Sequence, residues 1–527
     1  MKRILYLIIL LLPLVSCRNN PAADLDMPHD GISPEHAAAI LRQMFTDIGR
    51  PAKLYTSEDD WEFLMMLFSN DVEGADVILP DNRYNYFVVC GDYSSRNAFY
   101  RNPRIRYSVP YNMIASVNDF LDGFGEGVTD PYSLCMMAQA RALRAWSYLL
   151  LAPSYQFNYR VDCDKPCVPI VPQEPFDHTN NPRATVKDVY QLILEDLNYA
   201  VEKLEGSSRT SKMFIDGNVA HGLRARAYLD MGEWQKAYYD AVKAASGYTP
   251  ATLQEVSKPA FYDINEHNWL WGYDMTDEVA RNYRFATTSS WLRSFSGNSY
   301  ACALQCYSCI NKLLYDKIPA NDIRKQWWVD ENLNSKLLDG LQWPGFDDVA
   351  NANDGYAKLP YLPYTNVKFG CFYVGNEAND EDMPLMRVEE MILIQAECKA
   401  QMGEDSDAIA ILENFVNTYR MVSGTYSVTD GERDLLDEIW FQRRVELWGE
   451  GFGIFDIKRL DKPLVRFHDD KGNVPEAFRF NLPKDDPWLL MRFPQGELNS
   501  NFALEDNSGG HQPITDENPS LRDGVTD

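Results

Sequence analysis

Acid–base, metal and nucleophilic chemistry each need particular side chains at particular spacings, and this 527-residue chain offers few of them. Cleaving a glycosidic bond would need two carboxylates facing each other across a cleft. Among 77 acidic residues, a carboxylate pair at any chosen spacing carries no information by itself. The seven histidines stand at 29, 36, 178, 221, 267, 468 and 511, and no two share a helix face at metal-ligand spacing. No metal and no cofactor is therefore expected, and no catalytic constellation stands out. What the chain does offer is contact chemistry. Aromatic residues make up 13%, with 30 Tyr and 12 Trp, and such rings give flat amphipathic surfaces for a ligand. Asn82, Arg83, Tyr84, Tyr86 and Tyr93 form one candidate cluster, and Trp291, Asn298 and Tyr300 form a second. Their rings could stack on a ligand while the amide and guanidinium groups supply directional hydrogen bonds. The alternative for each is to pack a loop onto the scaffold or to face a partner. Arg443, Arg444, Glu446, Glu450, Asp456 and Arg459 alternate in sign within two helical turns and a loop, as does Arg387 with Glu389 and Glu390. That pattern reads as ion pairs tying helices together rather than as acid–base machinery.

The elements that must position these residues begin after a targeting segment. Met1-Lys2-Arg3 is basic, and Ile4 to Val15 is a 12-residue apolar stretch interrupted by Pro13. Twelve residues are too few to span a bilayer, which takes roughly 20; residues 1–16 read as a secretory signal. Leu14-Val15-Ser16-Cys17 resembles the lipobox of bacterial lipoproteins, in which the cysteine is lipidated and becomes the mature N-terminus. A plain signal peptide with a coincidental cysteine is the other reading. Residues 17–32 form a linker without periodicity. A domain then covers 33–527, divided into a helical part (33–246), a loop-rich, ligand-facing insert (247–380), a second helical part (381–504) and a polar, acidic tail expected to be mobile (505–527).

The expected fold is mostly α. Ser33-Pro34-Glu35 opens a helix to about Ile48, a second runs near Asp59–Ser69, and others cover 108–122, 132–151 and 185–204. Ala138, Ala142, Ala145 and Leu149 recur at three or four residues, which suits close helix packing. In 217–246, Tyr228, Gly232, Trp234, Ala237 and Ala244 lie at the large-and-small spacing of a tetratricopeptide repeat. Met402-Gly403 before Ala408 is a weaker echo. The scaffold is thus expected to be built of tetratricopeptide-like helical hairpins with irregular inserts and minor short strands. In the insert, Trp269, Trp271, Trp291, Trp327, Trp328 and Trp343 make half of all Trp, and long specific loops are where binding usually resides. Cys163 and Cys167 flank a Pro-rich turn, where an oxidising compartment would permit a local disulfide. Cys302, Cys306 and Cys309 have a spacing that resembles the cluster loop of radical SAM enzymes. They run into a helical pattern, so buried thiols are the better reading.

Lys plus Arg number 50 against 77 Asp plus Glu, a net charge of −27. Such a surface repels phosphate backbones and excludes a nucleic-acid partner.

Several motifs are similar, in order, to the SusD/RagB-like outer-membrane lipoproteins of Bacteroidetes. Besides Cys17, they are Tyr111-Asn112-Met113-Ile114 with Asn118, Arg141 to Tyr148, Val168-Pro169-Ile170-Val171, and Tyr190 to Ala200. The 225–245 hairpin, Met386 to Glu397, and the run from Glu438 to Arg459 complete the series. Gln442 and Gly453 stand where the family usually has Glu and Arg, and the closing Asn-Pro becomes Asn501-Phe502. The resemblance implies a lipid-anchored, surface-facing outer-membrane protein. It would capture an oligosaccharide or peptide and deliver it to a SusC-like TonB-dependent β-barrel transporter, without catalysis. An exported glycoside hydrolase and an adhesive or structural helical-repeat surface protein are the rival classes.

Overall fold

A computed structural model describes residues 32–50, 62–79, 87–125, 127–172, 176–276, 307–339, 362–372, 381–469 and 472–527. The N-terminal helices are α1 (Pro34–Thr46), α2 (Glu62–Val72), the single turn α3 (Val88–Gly91), α4 (Arg101–Asp122), α5 (Pro131–Tyr155), the turn α6 (Tyr159–Asp162) and α7 (Val186–Leu204). The hairpin α8 (Gly217–Met231) and α9 (Trp234–Ala245) follows. After the insert, which holds α10 (Lys312–Lys317), come α11 (Val388–Gln401), α12 (Asp405–Tyr419), α13 (Leu435–Glu446), α14 (Gly453–Arg459) and the short α15 (Gln495–Ser500).

Local chemistry sets several boundaries. Asp130 caps α5 by accepting from the Ser133 N–H, with Pro131 at the first helical position. Thr185 and Asp188 close a reciprocal capping box on α7. Gly232 ends α8 at φ 76°, a left-handed conformation that lets α9 turn back directly. Ala237, Ala241 and Ala244 on α9 are fully buried, so the two backbones approach closely. The stack is continuous: α4 packs on α5, α5 on α7, α7 on α8, α8 on α9, α9 on α11, and α11 on α12. This is the helical-hairpin scaffold that the spacing of Tyr228, Gly232 and Ala237 suggested.

Two small antiparallel sheets tie the insert to this stack. Strand β1 (Val77–Ile78) pairs with β3 (Cys309–Ile310), and β2 (Trp269–Tyr273) with β4 (Met383–Arg387). Trp269, Trp271, Trp327 and Trp328 are fully buried. The described tryptophans of the insert are thus core, where rings of this size bury large apolar areas. Cys163 and Cys167 are free thiols. Cys167 Sγ is buried toward the Ala152 carbonyl, while Cys163 ends α6 half-exposed. Cys309 is a buried thiol on β3; Cys302 and Cys306 lie outside the described residues.

Strand β4 delivers Arg387 to the mouth of α11, where the charges meet. Glu446, with no exposed surface, accepts from Arg420 Nε and Nη2 at 2.8 Å each, from Arg387 Nη1 at 3.2 Å and from Arg324 Nη1 at 3.4 Å. Arg387 also grips Glu450 through Nε and Nη2, both at 2.8 Å, and pairs with Glu389 at 3.0 Å. Lys368 donates to Glu450 at 2.7 Å and to the Glu446 and Trp448 carbonyls. Arg324 is held by Asp322. Four cations, Arg324, Lys368, Arg387 and Arg420, thus meet four carboxylates, Asp322, Glu389, Glu446 and Glu450. Burial opposes ionisation of Glu446, but Arg420, Arg387 and Arg324 outweigh it and hold its carboxyl well below the usual range.

Neighbouring charges form satellites. Arg443 binds Asp456 at 2.6 Å, and Arg459 binds Asp456 and Glu397. Glu390 does not pair with Arg387 as the sequence pattern suggested. It takes a bidentate bond from Arg226 of α8 at 2.7 Å, because successive residues on α11 face different neighbours. Arg444 bonds Asp76 twice and Asp523 once.

That last pair corrects the expectation of a mobile 505–527 tail. Asp523, Val525 and Thr526 are buried, and the Asn481 N–H donates to the Glu517 carbonyl at 3.0 Å. The acidic composition that suggested mobility supplies a counter-charge that buried Arg444 requires.

Removing the Glu446 carboxylate with Glu446→Ala leaves buried guanidinium groups uncompensated. It is expected to cost about 3–5 kcal/mol in urea unfolding. Burial also pushes the carboxyls of Asp71, Glu266 and Asp382 up to about 7 each. These groups bind protons more tightly when folded, so their penalty shrinks as pH falls from 7 toward the ordinary carboxylate range. Glu446, Glu450 and Asp456 are held low and lose their contribution only as pH falls through that range and below. Thermal unfolding is therefore expected to move to higher temperature between pH 7 and 5.5, with a shallower gain in Asp71→Asn.

Candidate functional site

The insert is anchored at the β1–β3 ladder. Val77 pairs with Ile310 and Ile78 with Cys309, which places Leu79 alongside Ser308. Thr365 bridges Cys309 on the other side, and Asn366 donates its N–H to the Ser308 carbonyl at 3.0 Å and its Nδ2 to Ser308 Oγ at 2.7 Å. Asn311 fixes the far end, donating to the Ala75 and Arg466 carbonyls at 2.9 Å each. The chain therefore leaves this one ladder toward residues 80–86, returns to it from 277–306, and re-enters it after 340–361. The candidates Asn82, Arg83, Tyr84, Tyr86, Trp291, Asn298 and Tyr300 lie outside the described residues.

Tyr93 does not belong with them. It is fully buried, its hydroxyl donates to the Glu73 carbonyl at 2.6 Å, and the Arg96 guanidinium lies 3.8 Å from its ring centre. A tyrosine in a loop met Arg96, itself pinned by Glu73 at 2.9 Å, and was drawn into the core. Among the described residues of this loop the exposed rings are Phe99 and Tyr100, at 83% and 51% exposure, just before α4. Sequence reading passed over them, although their position between an irregular stretch and a helix was visible.

Beside the ladder, a groove of about 640 Å³ is lined by Tyr315, Lys325, Gln326, Asp330, Asn334 and Lys336, among others. Each wall has a reason. Tyr315 lies on α10, which Asn311 caps through its side chain. The Tyr315 ring meets Tyr364 edge-on at 5.1 Å and lies 4.5 Å from the Lys325 ammonium, which donates to the Tyr315 and Ile318 carbonyls. Burial pushes the Tyr315 phenol up to about 12, so it stays a neutral hydroxyl. Asp330 Oδ1 accepts from the N–H groups of Asn332 and Asn334 at 2.8 and 2.9 Å, folding a tight loop with Leu333 at φ 65°. Gln326 accepts from the Lys336 N–H at 2.8 Å.

The groove offers amide, carboxylate, ammonium and phenol groups on a fixed frame, which suits hydrogen bonding to a polar ligand. No group of three or more metal-ligating residues exists among the described residues, and no described helix is long and apolar enough to cross a membrane.

Residues 69–229 match the family described as "Starch-binding associating with outer membrane", and residues 313–509 match the SusD family. The chain is a SusD/RagB-like protein. A SusD-like carbohydrate binding protein from Bacteroides vulgatus is 25% identical, with a TM-score of 0.70 over 90% of this chain and 97% of its own. SusD superfamily proteins from Bacteroides thetaiotaomicron and Bacteroides fragilis share the fold at 18% and 20% identity. Their TM-scores are 0.69 and 0.68, over 90% of this chain and 100% and 99% of theirs. No curated protein matches the chain. In this SusD-like chain neither family match reaches residues 230–312, the stretch holding Trp291, Asn298 and Tyr300.

Asp330→Ala is expected to free the loop without unfolding the scaffold. Amide exchange at Asn332 and Asn334 should rise at least tenfold, while global stability changes by only about 1–2 kcal/mol, the worth of two exposed hydrogen bonds.

Proposed function

We propose that this SusD-like chain is a glycan-capturing protein of the outer membrane, lipid-anchored through Cys17 and facing outward. It hands its ligand to a SusC-like TonB-dependent β-barrel transporter. The observation that carries the reading is the polar groove seated on the β1–β3 ladder, where the insert enters and leaves the helical scaffold. The starch-binding, outer-membrane description of the matched family supports it, as does the carbohydrate-binding relative from Bacteroides vulgatus. Capture needs no bond chemistry, which agrees with the use of Asp330 to hold its own loop. A peptide would use the same donors and acceptors, but the matched family and that relative favour sugars.

The test uses the soluble chain from residue 18 onward. Calorimetry against a panel of neutral oligosaccharides is expected to find a ligand whose affinity falls at least tenfold in Gln326→Ala and Lys336→Ala and is unchanged in Phe502→Ala. A large β-barrel should co-purify with the tagged lipidated protein from mild-detergent outer membranes. Binding of peptides alone, or release of reducing ends from the oligosaccharides, would overturn the reading.

A further inference from the structure

A second cavity, of about 90 Å³, opens where α5, α7 and α8 meet α14, and it shares no lining residue with the groove. Its mouth is apolar: Leu67, Phe157, Phe452 and Phe455 line it and are each half-buried. Most charges on its floor are already matched. Arg226 holds Glu390, Arg443 and Arg459 hold Asp456, and Glu450 holds Arg387 and Lys368. Lys458 caps the Pro153 carbonyl.

Asp230 differs. Its Oδ2 accepts the Tyr190 hydroxyl at 2.9 Å, but among the described residues it has no ion-pair partner and no donor reaches Oδ1. Burial pushes its carboxyl up to about 6, against the pull of Arg459. Donors are also unused: among the described residues Arg226 bonds through Nε and Nη2 only, and buried Arg443 Nη1 has no partner. A floor with one open acceptor and open donors, among charges that are otherwise paired or, for Lys458, capped by a carbonyl, suits a neutral group that both donates and accepts. A cation would meet Arg443 and Arg459; an anion would meet Asp230 and Asp456.

We propose that this cleft is a second saccharide-binding site that takes the exocyclic hydroxymethyl group of a sugar. The hydroxyl donates to Asp230 Oδ1 and accepts from Arg226, while the ring rests its C–H face on the aromatic mouth. About three waters would fill the volume at roughly 30 Å³ each, room for the hydroxymethyl arm but not for the ring. The proposal takes only the ligand class from the carbohydrate reading and nothing from the groove.

Saturation-transfer NMR with the methyl glycosides of glucose, galactose and mannose tests it on the soluble chain. At least one is expected to give its strongest signal at the H6 protons. Affinity should fall at least tenfold for its 6-deoxy analogue and in Asp230→Asn, and the signal should vanish in Leu67→Trp, which blocks the mouth. Phe157→Ala, which removes one mouth ring, is expected to weaken the same signal if Leu67→Trp does not fold. Gln326→Ala and Lys336→Ala should leave it unchanged. Equal binding of the 6-deoxy sugar, or no signal sensitive to the cleft variants, would overturn the second site. Neither result bears on oligosaccharide binding at the groove.

Discussion

The buried charge cluster around Glu446 is the constraint on which the rest of this molecule depends. Four cations and four carboxylates are removed from water together, and each is tolerable there only because the others stand at hydrogen-bond distance. Their carriers come from unrelated parts of the chain. Arg324 and Lys368 belong to the insert, Arg387 to the end of β4, Glu389 to the first turn of α11, Arg420 to the exit of α12, and Glu446 to the last turn of α13. Apolar packing alone would leave these elements free to slide. Opposite charges at 2.6–3.4 Å do not.

With the insert locked at Arg324 and Lys368, the ladder beside it becomes a rigid frame. Thr365, Asn366 and Lys368 lie on one short stretch, so the segment that binds the charge cluster also completes the β1–β3 ladder. The groove walls then need little more than Asn311, Asp330 and the Tyr315–Tyr364 contact to hold their places. Groups fixed before a ligand arrives lose little entropy on binding, which is how a shallow polar groove reaches useful affinity.

Local rules made part of this legible in the sequence. The alternation of Gly232, Ala237 and Ala244, and the Ser/Thr/Asp caps before helical runs, act over a few residues and so can be read one-dimensionally. The charged runs announced ion pairing by type, yet not by partner. Glu390 turned to Arg226, and Arg444 to Asp76 and Asp523, because partners are chosen by the tertiary approach of distant elements. Composition misled twice. Acidic, Gly-rich residues near 523 were needed as counter-charges, and the tryptophans near 270 and 328 filled the core instead of facing a ligand. The groove has no periodic signature at all, since Gln326, Asp330 and Lys336 come together through turns rather than through a repeating face.

The triple contact of Arg444 with Asp76 and Asp523 carries a kinetic consequence. It joins residues separated by 368 and 79 positions, and the β1–β3 ladder likewise spans more than 200 positions. Loops of such length must close before either contact repays them, so the N-terminal helices cannot settle their own edge early. Contacts of this sequence range favour slow, concerted folding over a succession of finished modules. The apolar face of α2 is completed only when α14, nearly 400 positions along, packs against it.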